Sequence, residues 1–390
     1  MDGLKVGIIG AGNMGSAHFN CIYSGEIEGM RVTAVCDTDR RKLKEIREKS
    51  SGVALYEDYR ELLDNPEVDG VIIAVPHPLH AQTAIAAFEK GRHVLVEKPV
   101  DITLSAAQRL QEAARKSGKV FGIMFNQRTN SLFRRAREMV QSGQLGELKR
   151  SIWIITNWYR TQAYYNSGGW RATWAGEGGG VLINQAPHNL DLWQWICGMP
   201  KSVTAFCNMA KYHQIEVEDE ATLYTEYENG ATGVFITSTG DYPGTNRLEI
   251  TGTRGKIVLE NGVLKFWQLS EDERRVSAES LEGFAMVPTE YMEYQAADEP
   301  GHKGILQNFT DAVLKGGELL APGFDGIYEL MISNAAYLSE WQGNRKVMLP
   351  FDPTDFDKRL AEKAETSRFH TGGPESKDIC SYLPRWKVRW

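Results

Sequence analysis

Lys5-Val6-Gly7-Ile8-Ile9-Gly10-Ala11-Gly12-Asn13-Met14-Gly15 reads as an apolar strand that flows directly into a G-x-G-x-x-G turn and then an amphipathic helix. Each glycine has a separate job in such a turn. Gly10 permits the tight bend, Gly12 lets the backbone approach a pyrophosphate, and Gly15 allows the helix to pack closely on the strand. Gly12, Asn13, Met14 and Gly15 then open a helix whose unpaired N–H groups and positive dipole end favour phosphate. A second strand, Val32 to Cys36, leads to Asp37, where an acid would take ribose hydroxyls. A carboxylate there repels a 2′-phosphate and pairs with a free 2′-hydroxyl, so NAD is expected over NADP. Arg40 and Arg41 are near enough to soften that preference, although cations in the first turns of a solvated helix are the simpler reading.

Outward from this motif, residues 1–125 alternate strand and helix patterns, the sign of a doubly wound parallel sheet. Val68 to Val75 reads as a buried strand stopped by Pro76. A helical stretch from His80 to Lys90 precedes a strand, His93 to Val96, and then Glu97-Lys98-Pro99. Thr103 caps a helix to about Lys116 with Gly118 beyond it, and Val120 to Phe125 is a further strand. Ligands of open α/β sheets gather outside the carboxyl ends of the strands. That rule lines up the glycine turn, Asp37, Pro76, His77, His80, Glu97, Lys98 and Gln127 as cofactor-binding candidates.

The texture changes after residue 126. Ser131 to Gly143 reads as a helix and Ile152 to Tyr159 as a strand. Lys201 to Leu269 alternates with period two, with hairpin signals at Asn229-Gly230 and Asn261-Gly262. Helical stretches near Gly304–Leu314 and Asp325–Trp341 follow. The expectation is an N-terminal Rossmann domain (1–125), an α+β domain with a large, mainly antiparallel sheet (126–365) and a tail (366–390).

Composition narrows the function. The chain has 390 residues, a formal net charge of −7 and a pI near 5.7. No basic stripe interrupts that balance, so nucleic acid is not expected as a partner. No apolar run approaches the ~18–20 residues that span a bilayer, and the first strand starts too early for a signal peptide. Five cysteines without CxxC spacing suggest neither a disulfide framework nor zinc. A cytoplasmic enzyme is the expectation. His77 and His80 are three apart, but Pro78 breaks the helical face and no third ligand accompanies them, so no metal is expected. His18 reads as a packing residue.

Taken together, Gly10–Gly15, Glu97-Lys98-Pro99 and Gly178-Gly179-Gly180-Val181-Leu182-Ile183-Asn184-Gln185-Ala186-Pro187-His188 resemble the glucose–fructose oxidoreductase / inositol dehydrogenase / MocA family. Its members pair a Rossmann domain with an open-faced α/β domain and mostly oxidise or reduce sugars, inositols and related polyols with NAD or NADP. The resemblance spans about residues 1–350. It implies that Lys98 is the catalytic lysine and His188 the catalytic histidine. It also implies a homodimer or homotetramer formed through the open sheet.

Asn184 stands where most members have aspartate. An amide can still hydrogen-bond a sugar hydroxyl, but it leaves the histidine less basic than an anion would. Whether His188 or Lys98 takes the hydroxyl proton therefore stays open. Pro187 removes a helical N–H between Asn184 and His188, so the two share a face only if one helix runs through, merely kinked.

Oxidising a secondary alcohol needs a proton acceptor and a nicotinamide held over the carbon that loses hydride. His188 has a suitable intrinsic pKa, and a Lys98 ammonium would stabilise the developing alkoxide. The segment from Asn157 to Trp174 reads as a substrate wall. Aromatic faces meet the C–H faces of a sugar, and polar groups meet its hydroxyls. Trp158, Arg160, Tyr164 and Trp174 are the candidates, with Arg128 from the last Rossmann strand and Asn184 beside them. The expected reaction is hydride transfer between a secondary hydroxyl of a sugar or glycoside, pyranose C3 being preferred, and NAD. Inositol dehydrogenation, redox-assisted glycoside cleavage and a non-catalytic sensor are the alternatives.

Overall fold

The computed structural model describes residues 3–297 and 299–368. The part of the tail from residue 369 on therefore lies outside the described residues. The chain divides into two compact units. The first comprises the residues up to Thr129 together with Gly176–Gly178 and Pro300–Leu330. The second comprises Asn130–Ala175, Gly179–Glu299 and the described residues from Met331 on.

The first unit is a six-stranded parallel sheet: β1 (Leu4–Ile9), β2 (Met30–Cys36), β3 (Ala54–Tyr56), β4 (Gly70–Ile73), β5 (His93–Val96) and β6 (Phe121–Ile123). The order β3-β2-β1-β4-β5-β6 is that of a doubly wound dinucleotide-binding sheet. Leu4, Val6, Ile8 and Ile9 of β1 are all buried, the near-continuous apolar run required of a strand covered on both faces. Thr103 caps the helix Leu104–Ser117 by accepting from the Ala106 N–H at 3.2 Å, and Gly118 closes it in the left-handed conformation.

Residues 300–330, which the sequence reading had assigned to the second domain, belong to this first unit. Their contacts with β6 give the reason. Ile123 N–H donates to the Ala321 carbonyl at 3.1 Å, Gly122 bridges Pro322, and the Arg128 guanidinium meets Asp325 at 2.6 Å.

The second unit is built on a nine-stranded sheet: β7 (Leu148–Ile155), β8 (Ser202–Met209), β9 (Glu218–Glu226), β10 (Thr232–Ser238), β11 (Asn246–Gly252), β12 (Gly255–Glu260), β13 (Val263–Leu269), β14 (Thr289–Gln295) and β15 (Val347–Met348). The order is β14-β13-β12-β11-β7-β10-β9-β8-β15. All pairings are antiparallel except β7 with β10, a parallel contact that hairpin signals do not announce. Asn261 and Gly262 both have positive φ and join β12 to β13 as a two-residue turn.

One face of the sheet is core. Trp153, Leu223, Phe235 and Ile250 are buried there, and Trp193 of the helix Pro187–Cys197 lies against Phe235. Phe206 of β8, Tyr224 of β9 and Tyr291 of β14 are exposed. No helix among the described residues is long and apolar enough to cross a membrane.

Candidate functional site

In the first unit the candidates cluster where the strands end. The helix Asn13–Tyr23 starts at Gly12 with no side-chain cap, so its first N–H groups face outward without a carbonyl one turn earlier. The three glycines differ in what surrounds them. A Cβ at Gly10 would overlap the Ala74 carbonyl and one at Gly15 the Gly10 carbonyl, whereas Gly12 has no heavy atom within 4 Å of that position. Space over Gly12 is thus kept clear for a group that must come close to the backbone.

Asp37, at the end of β2, accepts from the Ala11 N–H at 2.7 Å and the Asp39 N–H at 2.8 Å, tying the acid to the glycine turn. The nearby cations are already engaged. Arg40 pairs with Glu57 and Arg41 with Asp39, while Lys42 meets Asp37 at 3.2 Å. Lys42, which the sequence reading passed over, is therefore the cation that faces the acid.

The loops after β4 and β5 are locked together. Pro76 precedes a 3-10 turn, His77–Leu79. His80 is fully buried, its Nδ1 on the Pro99 carbonyl at 2.6 Å and its Nε2 on the Val75 carbonyl at 2.8 Å. Burial lowers its pKa against the pull of those two bonds. His80 positions the chain, then, rather than presenting a free imidazole.

Beneath Lys98 lies Glu97, buried, with His18 Nε2 at 2.7 Å. Burial by itself would raise the Glu97 carboxyl. The His18 hydrogen bond and neighbouring positive charge outweigh it and hold the group at about 2. His302, 5.8 Å from the His18 ring, is driven by burial down to about 4 against the pull of the Glu97 anion, and so is neutral at pH 7. Asn126 Nδ2 donates to His302 Nδ1 at 3.3 Å. His18 is buried, as a packing residue would be, but it also carries the polar anchor of the Glu-Lys-Pro turn. Its partner His302 comes from residues 300–330 and had no signal in the sequence.

Gln127 and Arg128 sit in the 3-10 turn Asn126–Thr129 after β6, both buried. Arg128 is 1% exposed, lies over the Phe125 ring and pairs with Asp325. Its guanidinium is committed to holding this unit together.

In the second unit the segment from Gly179 to His188 is two helices, not one. Val181–Asn184 ends before Pro187, which opens the helix Pro187–Cys197 at its first position. The single kinked helix that would have put Asn184 and His188 on one face is replaced by a break, because proline can begin a helix far more cheaply than it can sit inside one.

Around Asn184 gather several of the expected wall residues. Tyr164 Oη is within 3.3 Å of both Asn184 Nδ2 and Gln185 Nε2 and accepts from Arg171 at 3.0 Å. The Arg160 and Arg171 guanidiniums lie over the Tyr164 ring at 5.1 and 4.8 Å. Arg160 also donates to the Trp158 carbonyl at 2.9 Å. Trp174 is not in this group. It is buried edge-on against Tyr337 and Trp341, the core position that its size favours.

The two halves match one family in sequence. Residues 4–125 match the oxidoreductase family with NAD-binding Rossmann fold, and residues 133–258 match the GFO/IDH/MocA C-terminal domain. The chain is an NAD-binding oxidoreductase in class, and it belongs to the GFO/IDH/MocA family.

An uncharacterized oxidoreductase of Bacillus subtilis is 26% identical over 342 residues, covering 86% of this chain and 94% of that protein. A myo-inositol 2-dehydrogenase of Thermotoga maritima is 26% identical over 266 residues, 66% of this chain and 75% of its own. Among solved structures, the WlbA dehydrogenase of Chromobacterium violaceum, in complex with NADH and UDP-GlcNAcA, is 26% identical with a TM-score of 0.78, covering 90% of this chain and 97% of that one. The first unit fits NAD. Gly12 and the uncapped N–H groups of Asn13, Met14 and Gly15 suit a pyrophosphate, and the Asp37 carboxylate suits ribose hydroxyls.

Proposed function

We propose that this protein transfers hydride between NAD and a secondary hydroxyl of a sugar or related polyol, with the ring of a pyranose or glycoside as preferred substrate. The observation that carries the reading is the Tyr164–Asn184–Arg160 cluster. It brings a tyrosine hydroxyl, a side-chain amide and guanidinium groups together, the kinds of group that hydrogen-bond the hydroxyls of a polyol ring. The myo-inositol dehydrogenase among the relatives and the UDP-sugar acid bound to the WlbA dehydrogenase support a hydroxylated ring as the substrate class. Inositol is thus the nearest rival to a pyranose.

NAD supplies the hydride acceptor. Gly10, Gly12, Asn13, Met14, Gly15, Asp37, Pro76, His77, Glu97 and Gln127 form or support its cradle. Lys98, directed by the buried Glu97 and by Pro99, holds a positive charge at the hydroxyl oxygen and stabilises the alkoxide as its proton leaves. His188, at the second position of its helix, takes that proton, and Asn184 orients the substrate by its amide. With no anion at position 184, His188 stays less basic than an aspartate would make it. The open sheet face with Phe206, Tyr224 and Tyr291 supports a homodimer or homotetramer, whose mass light scattering reads directly.

The test is formation of reduced nicotinamide by purified protein given NAD and a panel of glucosides, free hexoses and inositols, with Lys98→Ala beside it. Loss of one charge-stabilising donor costs roughly 100- to 1000-fold in kcat. The expected result is turnover on one substrate class that falls by that much in the variant. Release of an aglycone without NADH would replace the reading with redox-assisted glycoside cleavage. Silence on every substrate in both channels would refute it.

A further inference from the structure

The second unit holds a buried acid outside the cofactor cradle and the Tyr164–Asn184 cluster. Glu218 begins β9 and is completely buried. Its carboxylate accepts from the Gly180 N–H at 3.0 Å and 3.2 Å through its two oxygens, from the Leu182 N–H at 2.9 Å and from the Tyr337 hydroxyl at 2.7 Å. Gly180 N–H also lies 3.3 Å from Tyr337 Oη. Strand alternation does not announce this inward acid. A register shift between Asn208 and Met209 of β8 interrupts the pairing with β9, and both Glu218 and Asp219 turn into the interior.

The same contacts explain the glycines. A Cβ on Gly180 would overlap the Glu218 carbonyl oxygen, and one on Gly179, which has φ +158, would overlap the Tyr337 hydroxyl. Any larger residue would push the segment off its two anchors. The helix that follows, Val181–Asn184, has four residues and cannot hold itself in place. Its position is imposed from below. From this anchored turn the chain carries Asn184 at the helix end and His188 in the next helix.

We propose that Glu218, pinned by Tyr337, is the positioning residue of the Gly179–His188 segment, fixing Asn184 and His188 through the backbone N–H groups of Gly180 and Leu182. The catalytic half of this statement rests on the functional reading above, whereas the clamp itself does not.

A pH dependence follows from the geometry. Both protonation states can hold the segment: the carboxylate accepts from all three groups, and the protonated acid keeps a carbonyl oxygen for the N–H groups while its O–H donates to Tyr337 Oη. Burial raises the Glu218 carboxyl to about 7, with the Leu182, Tyr337 and Gly180 bonds pulling the other way. The titratable groups beside it are Tyr337 of the helix Gly326–Trp341 and Cys207 of β8. Both have pKa values raised by burial and stay neutral through this range. A carboxyl at about 7 in the clamped turn, against ~4.3 once released to solvent, holds its proton more tightly in the clamp, so the segment opens more easily as pH rises toward 7 and no further above it.

Hydrogen–deuterium exchange of peptides covering residues 178–186, corrected for intrinsic rates, tests this on the full-length protein between pH 5 and 8.5. Wild type should lose protection as pH rises toward 7, by up to about tenfold per pH unit, and level off above it. Tyr337→Phe removes a donor to the anion, so the carboxyl rises and the loss should continue to higher pH than in wild type. Glu218→Gln should show protection without pH dependence. In turnover, Tyr337→Phe should lower kcat several-fold and leave KM for NAD unchanged.

Identical exchange in all three proteins would overturn the clamp. Altered exchange with an unmoved kcat would overturn its part in catalysis. A wild type that follows the exchange prediction but turns over no sugar would support the clamp while refuting the functional reading.

Discussion

Replacing His18 by alanine would leave the Glu97 carboxylate buried without its imidazole partner. The two side chains are 1% and 8% exposed and 2.7 Å apart, so solvent cannot substitute for the lost bond. Two routes give the size of the effect. Removing one member of a buried pair costs about 3–5 kcal/mol. A carboxyl held at about 2 rather than 4.5 corresponds to roughly 3.5 kcal/mol, at ~1.4 kcal/mol per pKa unit. The second figure includes help from Lys98, so about 3 kcal/mol at pH 7.5 is the expected loss.

This loss depends on pH. In wild type the depressed Glu97 pKa contributes stability that is complete above the unfolded value of ~4.3 and is lost as pH falls toward 2. In His18→Ala, burial is unopposed by the imidazole and the folded pKa rises above the unfolded one. The variant then regains stability relative to wild type as pH falls through that raised value. The gap should shrink between pH 7.5 and pH 5.

Urea unfolding followed by far-UV circular dichroism at both pH values measures it. Tryptophan fluorescence is the wrong probe, since the described tryptophans, Trp153 to Trp341, all lie in the second unit. A loss under ~1 kcal/mol, the size of an ordinary surface pair, or a loss that does not shrink at pH 5, would refute the argument.

Two more outcomes follow from the cofactor cradle. Gly12→Ala adds a methyl where no heavy atom lies within 4 Å, so the urea midpoint should hold. NADH affinity, read by fluorescence titration, should fall at least tenfold (about 1.4 kcal/mol), because the methyl occupies the approach to the pyrophosphate. Asp37→Ser removes the carboxylate but keeps Lys42, which stands 3.2 Å from it. The ratio of kcat/KM for NAD over NADP should drop by about tenfold or more, as expected when a like-charge repulsion of ~1–2 kcal/mol is lifted. An unchanged ratio would mean that Asp37 does not face the ribose.

Much of the fold was legible because its signals are local. The glycine turn at Gly10–Gly15, the cap at Thr103, the closing Gly118 and the Asn261-Gly262 turn each depend on a few neighbouring dihedrals, and each stands where the residues indicate. Burial on both faces makes parallel strands read as apolar runs, so β1, β4 and β5 were visible as well. The break at Pro187 was visible as a question, and the fold answered it with two helices.

What the sequence by itself determined is therefore the class, a dinucleotide-binding sheet followed by an alternating-strand domain, and it put forward Lys98, Asn184 and His188 as candidates. The tertiary structure alone decided what stands behind them. His302 reaches Glu97 and His18 from residues 300–330, Trp174 goes to the core, Arg128 is spent on Asp325, and Glu218 turns inward at a bulge. These placements depend on pairings between residues roughly 40 to 280 positions apart. No local propensity encodes them, because a buried charge can be tolerated only where the rest of the fold happens to deliver its partner.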